Sequence, residues 1–310
     1  MSALVSVIVA TYNPDWTKFR NTLRSIICQK NVDFDIVISD DGSKVDHFDK
    51  VEQFFQENNF HAYKLVKNIE NQGTVKNSIL ALQNTDSKYV KGISPGDFLY
   101  DENALFRFVD FAEKNPADAY FGNAVFYSVN EKNAIKLYED KHNPKDYTPW
   151  IKKDVKRIRK NYIISRDYIL GASFLCNRTL YLDYVKRLDN IIKYAEDFSF
   201  VWYVADNRKI LYLDSPFVFY EFGSGISTNS SDKWRKILRN DNLNGFEIMY
   251  QNNSISFLEL QYFKNKNRFI KLLLKLYLDP ISLLKKFRNS NTTITIDVEE
   301  SKEKLKLILE

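Results

Sequence analysis

Cysteine and histidine are scarce in this sequence of 310 residues, and so are the sites that they usually build. The two cysteines, Cys28 and Cys176, are too few and too far apart for a disulfide framework, which favours a reducing compartment. The three histidines, His47, His61 and His142, show no spacing typical of a metal site. We therefore expect neither a zinc centre nor a disulfide-stabilised secreted domain.

Long apolar segments are missing as well. No run is long enough to span a bilayer, and residues 1–3 lead into a predicted strand without the pattern of a secretory signal. The net charge of +5 is mild, so we expect no nucleic-acid partner. These features predict a cytoplasmic protein that is long enough to bury a full core.

Residues 5–14, VSVIVATYNP, organise the predicted fold. Their valine- and isoleucine-rich half is typical of a buried strand, while Asn13 suits a helix N-cap and Pro14 the first helical turn. A strand that passes into a helix leaves backbone N–H groups at the carboxyl edge of a sheet, where α/β proteins bind ligands. The same segment could simply open an α/β domain, so it leaves both interpretations open.

The pattern continues as alternating strands and helices. Strands are predicted over residues 34–39, 62–67 and 88–93, with helices over residues 16–27, 45–58 and 75–82. Such a unit is parallel, and it brings the ends of all four strands to one edge. A further strand over residues 119–129 is predicted to break at Gly122 and Asn123.

Polar residues follow these strands. Asp40 and Asp41 would bind a donor group of a ligand or, more simply, the N-terminus of the next helix. Lys76 would lie in the first turn of a helix, where a cation is unfavourable unless an anion such as phosphate is bound. Asp97 follows the fourth strand on a tight turn, where it would hold a metal ion or only stabilise the turn.

VSVIVATYN, ISDDGS, NQG and a strand ending in an acidic turn occur in this order over residues 4–100. In this combination the chain resembles the family 2 glycosyltransferases of bacterial capsular and surface polysaccharide synthesis. The resemblance implies a GT-A fold, a Rossmann-like mixed α/β sheet flanked by helices that binds a nucleoside-diphosphate sugar. It assigns donor binding to Thr11, Tyr12, Asn13, Asp41, Gly73, Lys76 and Asp97.

The metal motif of that family is degenerate here. Its usual Asp-x-Asp-Asp reads Ser94-Pro95-Gly96-Asp97 in this chain, so only Asp97 remains as a ligand for a manganese or magnesium ion. The use of a divalent metal therefore stays open.

Residues 193–198, KYAEDF, supply the second half of such a site. The resemblance implies that Asp197 is the general base, which takes the proton of the acceptor hydroxyl in an inverting transfer. Glu196 beside it is assigned to the acceptor. Because Asp197 also precedes a predicted helix, an N-cap role is the ordinary alternative.

Two loops are predicted around this site. Gly225 and Ser227 lie in residues 220–229, which would form a mobile lid over the donor or an ordinary surface loop. The basic residues 136–166 are predicted to be a solvated loop, with neutralisation of the donor diphosphate as the alternative.

The composition changes towards the C-terminus. We predict a GT-A domain over residues 1–225 and a C-terminal helical region over residues 226–310, whose tail forms a short strand and a helix or is a loosely ordered end. Between residues 262 and 288 there are eight Lys or Arg against one Asp. A helix there would carry Lys264, Arg268, Lys271 and Lys275 on one stripe and apolar residues elsewhere. It would lie on an anionic membrane surface, or pack against the catalytic domain or a second subunit.

The resemblance predicts an inverting hexosyltransferase that uses a nucleoside-diphosphate sugar and a glycan or lipid-linked oligosaccharide acceptor. If the basic helix meets a membrane, the enzyme is peripheral at the inner face of the cell membrane. The alternative is a catalytically inactive GT-A subunit that binds nucleotide sugar or acts as a scaffold. The Gln-x-x-Arg-Trp motif of processive members is missing, which argues for one sugar per encounter.

Overall fold

One mixed sheet runs through the part of the chain that the computed structural model describes, residues 3–130, 134–223, 231–285 and 296–310. Its strands are β1 (Val5–Thr11), β2 (Phe34–Asp40), β3 (Tyr63–Lys67), β4 (Tyr89–Ile93), β5 (Phe98–Leu99), β6 (Ala119–Val129), β7 (Ile135–Leu137), β8 (Phe174–Asn177) and β9 (Ile210–Glu221). A 3-10 helix over Gly171–Ser173 precedes β8.

Helices connect the strands and form most of the C-terminal third. They are α1 (Trp16–Ile27), α2 (Phe48–Glu57), α3 (Thr74–Gln83), α4 (Ala104–Lys114), α5 (Thr148–Ile151), α6 (Val155–Ile163), α7 (Arg178–Lys186), α8 (Phe198–Ala205), α9 (Asp232–Gln251), α10 (Phe257–Lys264), α11 (Arg268–Leu278), α12 (Pro280–Lys285) and α13 (Val298–Leu309).

The strand order is β3-β2-β1-β4-β8-β6-β9-β5, with β7 paired to β6. β3, β2, β1 and β4 are parallel, so their carboxyl ends lie at one edge as the sequence predicts. β8 is antiparallel to both β4 and β6, which makes the sheet mixed. β6 runs unbroken through Gly122 and Asn123, where the sequence predicts a break, and only its register against β9 shifts, on both sides of Asn123.

Both faces of the sheet are covered. Within β1, Val7 and Val9 pack into the core beneath α1, α2, α4 and α13, whereas Ile8 packs into the core beneath α3, α7 and α8. A strand buried on both faces has no polar side to alternate with. This explains why β1 reads as a continuous apolar run.

Two local predictions are wrong. Asp15, not Asn13, caps α1, because its side chain accepts from the Lys18 N–H at 2.9 Å and Asn13 has a left-handed backbone with φ 47°. Pro14 therefore precedes the cap. The basic residues 136–166 are not a loop either, since they include β7, α5 and α6, and Trp150 is buried in the core.

The C-terminal helices pack on both cores. Phe246 of α9 and Phe263 of α10 stack at 3.5 Å in one core, while Leu305 of α13 is fully buried in the other. Tyr100 and Ser301 also join α13 to the sheet through a 3.0 Å hydroxyl contact. In the described ranges, every helix is too short or too polar to cross a membrane.

Candidate active site

The ends of β1 and β2 are joined by buried polar contacts. The Thr11 hydroxyl donates to Asp40 Oδ2 at 2.9 Å, and the Ser43 backbone N–H donates to Asp40 Oδ1 at 2.7 Å. The Asn13 N–H donates to Ser43 Oγ at 2.6 Å. These bonds join the two strand ends, while Tyr12, which is 53% exposed, and Asn13 remain accessible.

Asp41 organises the loop before α3. Its Oδ1 accepts from the Asn68 amide at 3.0 Å and the Gln72 N–H at 2.9 Å, and its Oδ2 accepts from the Gly73 N–H at 2.8 Å. Burial raises the pKa of Asp41, and these donors oppose the rise. A carboxylate has about four lone-pair sites, so one on Oδ2 is left for a ligand donor.

Neither Asp40 nor Asp41 caps the following helix, as the simpler interpretation of the sequence expected. α2 is preceded by His47, whose side chain does not cap it, and the Phe48 N–H donates to Asp46 Oδ1 at 3.0 Å. Both carboxylates are instead used inside the strand edge.

Residues 193–197 lie directly on this edge. The Val75 N–H donates to the Lys193 carbonyl at 3.2 Å, and the Tyr194 hydroxyl donates to Asn71 Oδ1 at 3.1 Å. A Cβ on Gly73 would come within 2.4 Å of that same Lys193 carbonyl, so only glycine allows this approach. The contact joins the start of α3 to the segment that carries the candidate base.

Asp197 precedes α8 without capping it. Its side chain makes no cap hydrogen bond, and no hydrogen bond or ion pair joins its carboxylate to the described residues. The N-cap alternative therefore does not account for an acid at this position. Asp197 keeps an exposed edge, while Gly171 lies so close that an added Cβ would meet Asp197 Oδ1 at 2.1 Å.

The surroundings of Asp197 favour its protonated form. Crowding by protein atoms, reinforced by the neighbouring Glu196 charge, raises the pKa of Asp197 to about 8. Burial also raises the pKa of Glu196, and the Thr74 hydroxyl opposes that rise. Thr74 is the first residue of α3, so Glu196 faces the same helix end that Asp41 holds.

Asp97 lies in the floor of the edge. It is 6% exposed, and its Oδ1 accepts from the Glu221 N–H at 3.0 Å. The fully buried Lys91 lies near it and donates to the Ala172 carbonyl at 2.5 Å, next to the Gly171 that packs on Asp197. Burial raises the pKa of Asp97 to about 7 and lowers that of Lys91 to about 7.

Glu221 forms a second acidic group beside Asp97. Both of its oxygens accept from Lys18 Nζ, at 2.6 and 2.7 Å. The Lys18–Glu221 ion pair and the nearby Lys91 thus already surround Asp97. Nowhere in the described ranges do three or more Asp, Glu, His or Cys side chains meet as a metal site would require. The described residues therefore do not by themselves supply a full set of ligands for a divalent ion.

The structure therefore brings most of the predicted residues to one edge through a continuous set of contacts. They run from Asp41 through Gly73 to Lys193 and the segment that ends at Asp197, and from Asp197 through Gly171 and Ala172 to Lys91, which lies near Asp97. Lys76, in the first turn of α3, has no hydrogen-bond or ion-pair partner among the described residues. Gly225 and Ser227 fall outside the described residues.

Sequence reasoning missed Lys18, Lys91, Gly171 and Glu221. Lys18 and Glu221 are 203 positions apart, and no local pattern announces such a pair. A lysine inside an apolar strand, as in YVKGI, is the one signal that could have been noticed, because a buried cation needs partners.

Comparisons with known proteins agree with this architecture. A family model described as "Glycosyl transferase family 2" matches residues 6–180. The fold resembles that of S. aureus TarS 1-349, with 15% identity, a TM-score of 0.51 and coverage of 96% of this chain and 77% of that chain. The same TarS fragment in complex with UDP-GlcNAc aligns with 17% identity, a TM-score of 0.51 and coverage of 88% and 79%. No curated protein sequence matches significantly. The predicted GT-A fold is confirmed.

Proposed function

The chain belongs to glycosyl transferase family 2, and on this premise we propose that it transfers a hexose from a nucleoside-diphosphate sugar with inversion. The acceptor is a hydroxyl of a glycan or of a lipid-linked oligosaccharide in surface polysaccharide synthesis. The neighbouring TarS structure contains UDP-GlcNAc, which makes this sugar nucleotide the first donor to test.

One observation carries the proposal: an acid without a partner lies beside the edge that the strand ends form. The Asp197 carboxylate makes no helix-capping hydrogen bond and no ion pair with the described residues. A carboxylate with a structural role would hydrogen-bond to or pair with protein groups, whereas that of Asp197 is exposed and bonds to none of the described residues. Asp197 is available for a ligand.

The donor would lie across the carboxyl ends of β1, β2 and the start of α3. The exposed Tyr12 ring offers a face for the nucleobase, and the remaining lone pair of Asp41 Oδ2 can accept from a base or ribose N–H or O–H. Thr11 and Asn13 support this pocket through Asp40 and Ser43. Lys76 supplies a cation to the diphosphate from the first turn of α3.

The chemical step needs one base. Asp197 accepts the proton of the acceptor hydroxyl while its oxygen forms a bond to the anomeric carbon. The bond from that carbon to the diphosphate oxygen breaks, and the nucleoside diphosphate leaves with the electron pair. Lys76 stabilises the negative charge that develops on the leaving group. Attack opposite the leaving group inverts the anomeric centre.

A non-catalytic role is the second candidate. It is favoured by the surroundings of Asp97, where the Lys18–Glu221 ion pair and the nearby Lys91 lie at the position of the degenerate metal motif. A subunit of this kind would bind nucleotide sugar at the same edge without turning it over. Binding alone does not separate the two candidates, whereas turnover does.

Nucleotide binding tests the pocket. We expect UDP-GlcNAc and UDP to raise the melting temperature more than uridine does, because the diphosphate adds charged contacts and a ligand of the native state stabilises it. Replacement of Lys76 by Met should weaken UDP binding about ten- to a hundredfold, as loss of a charged hydrogen bond does. Thermal shift and isothermal calorimetry measure both effects.

Lys64→Met is the matched control, because Lys64 lies on β3 and pairs with the exposed Asp86. It should bind UDP as the wild type does. Chelator should leave the UDP shift intact, because no three Asp, Glu, His or Cys side chains meet among the described residues. Absence of any nucleotide shift, or equal losses in both lysine variants, would contradict the assigned pocket.

A further inference from the structure

α11 is an apolar helix that turns its apolar side outward. None of its residues is buried, and six large apolar side chains are between 41% and 74% exposed. We call these six residues the apolar face: Phe269, Ile270, Leu272, Leu273, Leu276 and Tyr277. Ile281 of α12, also 50% exposed, lies just beyond it. Exposed apolar patches of this kind mark interaction surfaces.

Helical spacing explains the arrangement. At about 100° per residue, the apolar face forms one arc, while Lys271, Leu274, Lys275 and Leu278 fall on the other side. Those four are only partly exposed, so this second side is turned towards the protein. Burial lowers the pKa of Lys271, and Arg166 and Arg239 lower it further, so several cations lie together at this edge of the helix.

The helix is capped at its start and anchored to the protein at its end. Asn267 caps its start by accepting from the Phe269 N–H at 2.9 Å. At its end, the fully buried Asp279 receives both guanidinium nitrogens of Arg157, at 2.6 and 2.5 Å. The apolar face is therefore presented by a fixed element rather than by a loose end.

We propose that the apolar face lies on the surface of a membrane that contains anionic lipids. Of the charged residues between positions 262 and 288, eight are Lys or Arg, and the single Asp is buried and paired with Arg157. The segment itself contains no exposed acid, and of its cations Lys264 pairs with Glu247 of α9. An outward apolar arc bordered by cations matches an anionic bilayer surface, where acyl chains meet negative headgroups.

A second copy of the chain fits this surface less well. A twofold interface would place the same patch on both partners, and thus bring two sets of cations together. The length of α11 also suits a helix that lies in the surface, because 11 residues are far fewer than the roughly 20 that span a bilayer. The membrane contact stands independently of the proposed transfer reaction.

Vesicle co-sedimentation tests the inference with the full chain. We expect binding to vesicles of phosphatidylglycerol and phosphatidylcholine, and much less to phosphatidylcholine alone. The double variant Leu272→Gln/Leu276→Gln should lower the partition coefficient at least about tenfold, because it removes apolar area from the contact. Both leucines are about half exposed, at 52% and 51%, so the fold should tolerate the change.

Two further variants separate the contribution of the apolar face to vesicle binding from that of the neighbouring cations. Leu307→Gln is the matched control, because Leu307 is 68% exposed on α13, outside the apolar face, and it should bind vesicles as the wild type does. Lys266→Gln/Arg268→Gln should lower binding to the anionic vesicles about tenfold, and added salt should do the same.

Equal binding to both vesicle types, or equal losses in the control and face variants, would overturn the proposal. So would a stable dimer in light scattering without lipid that the Leu272→Gln/Leu276→Gln variant abolishes. That last result would assign the face to a second copy of the chain.

Discussion

Replacement of Asp197 by Asn is expected to lower the rate of sugar transfer by about 10²–10⁴-fold, the range for loss of a general base. The change keeps the size of the side chain and removes its capacity to accept a proton. Asp197 makes no cap hydrogen bond and no ion pair with the described residues, so the fold should not depend on its charge. UDP affinity should stay within about twofold, because the group acts on the acceptor.

The measurement is release of UDP from the donor that gives the largest thermal shift, with circular dichroism to confirm the fold. Asp154→Asn is the matched control. Asp154 is an exposed N-cap on α6, and asparagine caps a helix as well as aspartate does. Full activity in Asp197→Asn would refute the assigned base. Absence of turnover in both the wild type and Asp197→Asn would support the scaffold alternative.

Replacement of Arg157 by Leu is expected to lower the free energy of unfolding by about 3–5 kcal/mol. The pair with Asp279 is buried, with side-chain exposures of 11% for Arg157 and 0% for Asp279. Removing the guanidinium leaves a carboxylate without its counterion in the interior. Equilibrium unfolding in urea measures the loss, provided that the slope with denaturant stays unchanged.

Arg235→Leu serves as the control, because its pair with Asp232 is exposed at 66% and 98% and should contribute little. The double variant Arg157→Leu/Asp279→Leu should recover much of the loss, since apolar residues often replace a buried ion pair without cost. A single variant as stable as the wild type would contradict the buried pair, and with it the anchoring of α11.

The sequence predicted the first half of the fold well because its signals are local. β1 has only a strand-like pattern and α1 only a helical one. The predicted helix over residues 16–27 matches the observed bounds of α1. Caps were less predictable. Asn13 and Asp15 both suit an N-cap. In the structure the Asn13 N–H donates to Ser43 Oγ and the Asn13 side chain accepts from the Lys44 N–H, so Asn13 is not available to cap α1.

The basic residues 136–166 show a different limit. Their charge predicts a solvated loop, yet Arg157 and Arg159 of α6 pair with Asp279 and Glu259 near the C-terminus. A charge run looks solvated when its partners are about a hundred residues away in the sequence. Tertiary pairing, rather than local composition, decides the structure of this segment.

The candidate site was predictable only in part. Asp41, Lys76 and Asp197 follow strands or begin helices, so their position at one edge could be inferred from the topology. The contacts that join them could not. Gly171 faces Asp197, and Lys91 fixes the next residue, Ala172, but neither pairing has a spacing that the sequence reveals.

The third limit of prediction from the sequence is the direction in which an amphipathic helix faces. The sequence predicted a basic stripe and a wide apolar arc for the helix around residue 270, but an amphipathic pattern does not say which side faces the protein. The apolar side is usually the buried one. In α11 it is exposed, and this reversal was visible only once the neighbouring helices were placed.

The dependence of UDP release on pH tests the central claim most directly, because it measures whether a carboxylate at this edge accepts the acceptor proton. The base must be ionised, and the pKa of Asp197 is raised to about 8. The wild-type rate should therefore rise about tenfold per pH unit below about pH 8 and level off above it. The residual rate of Asp197→Asn should lack this inflection. A wild-type rate that is flat between about pH 6 and about pH 9, or an inflection that persists in Asp197→Asn, would contradict the account.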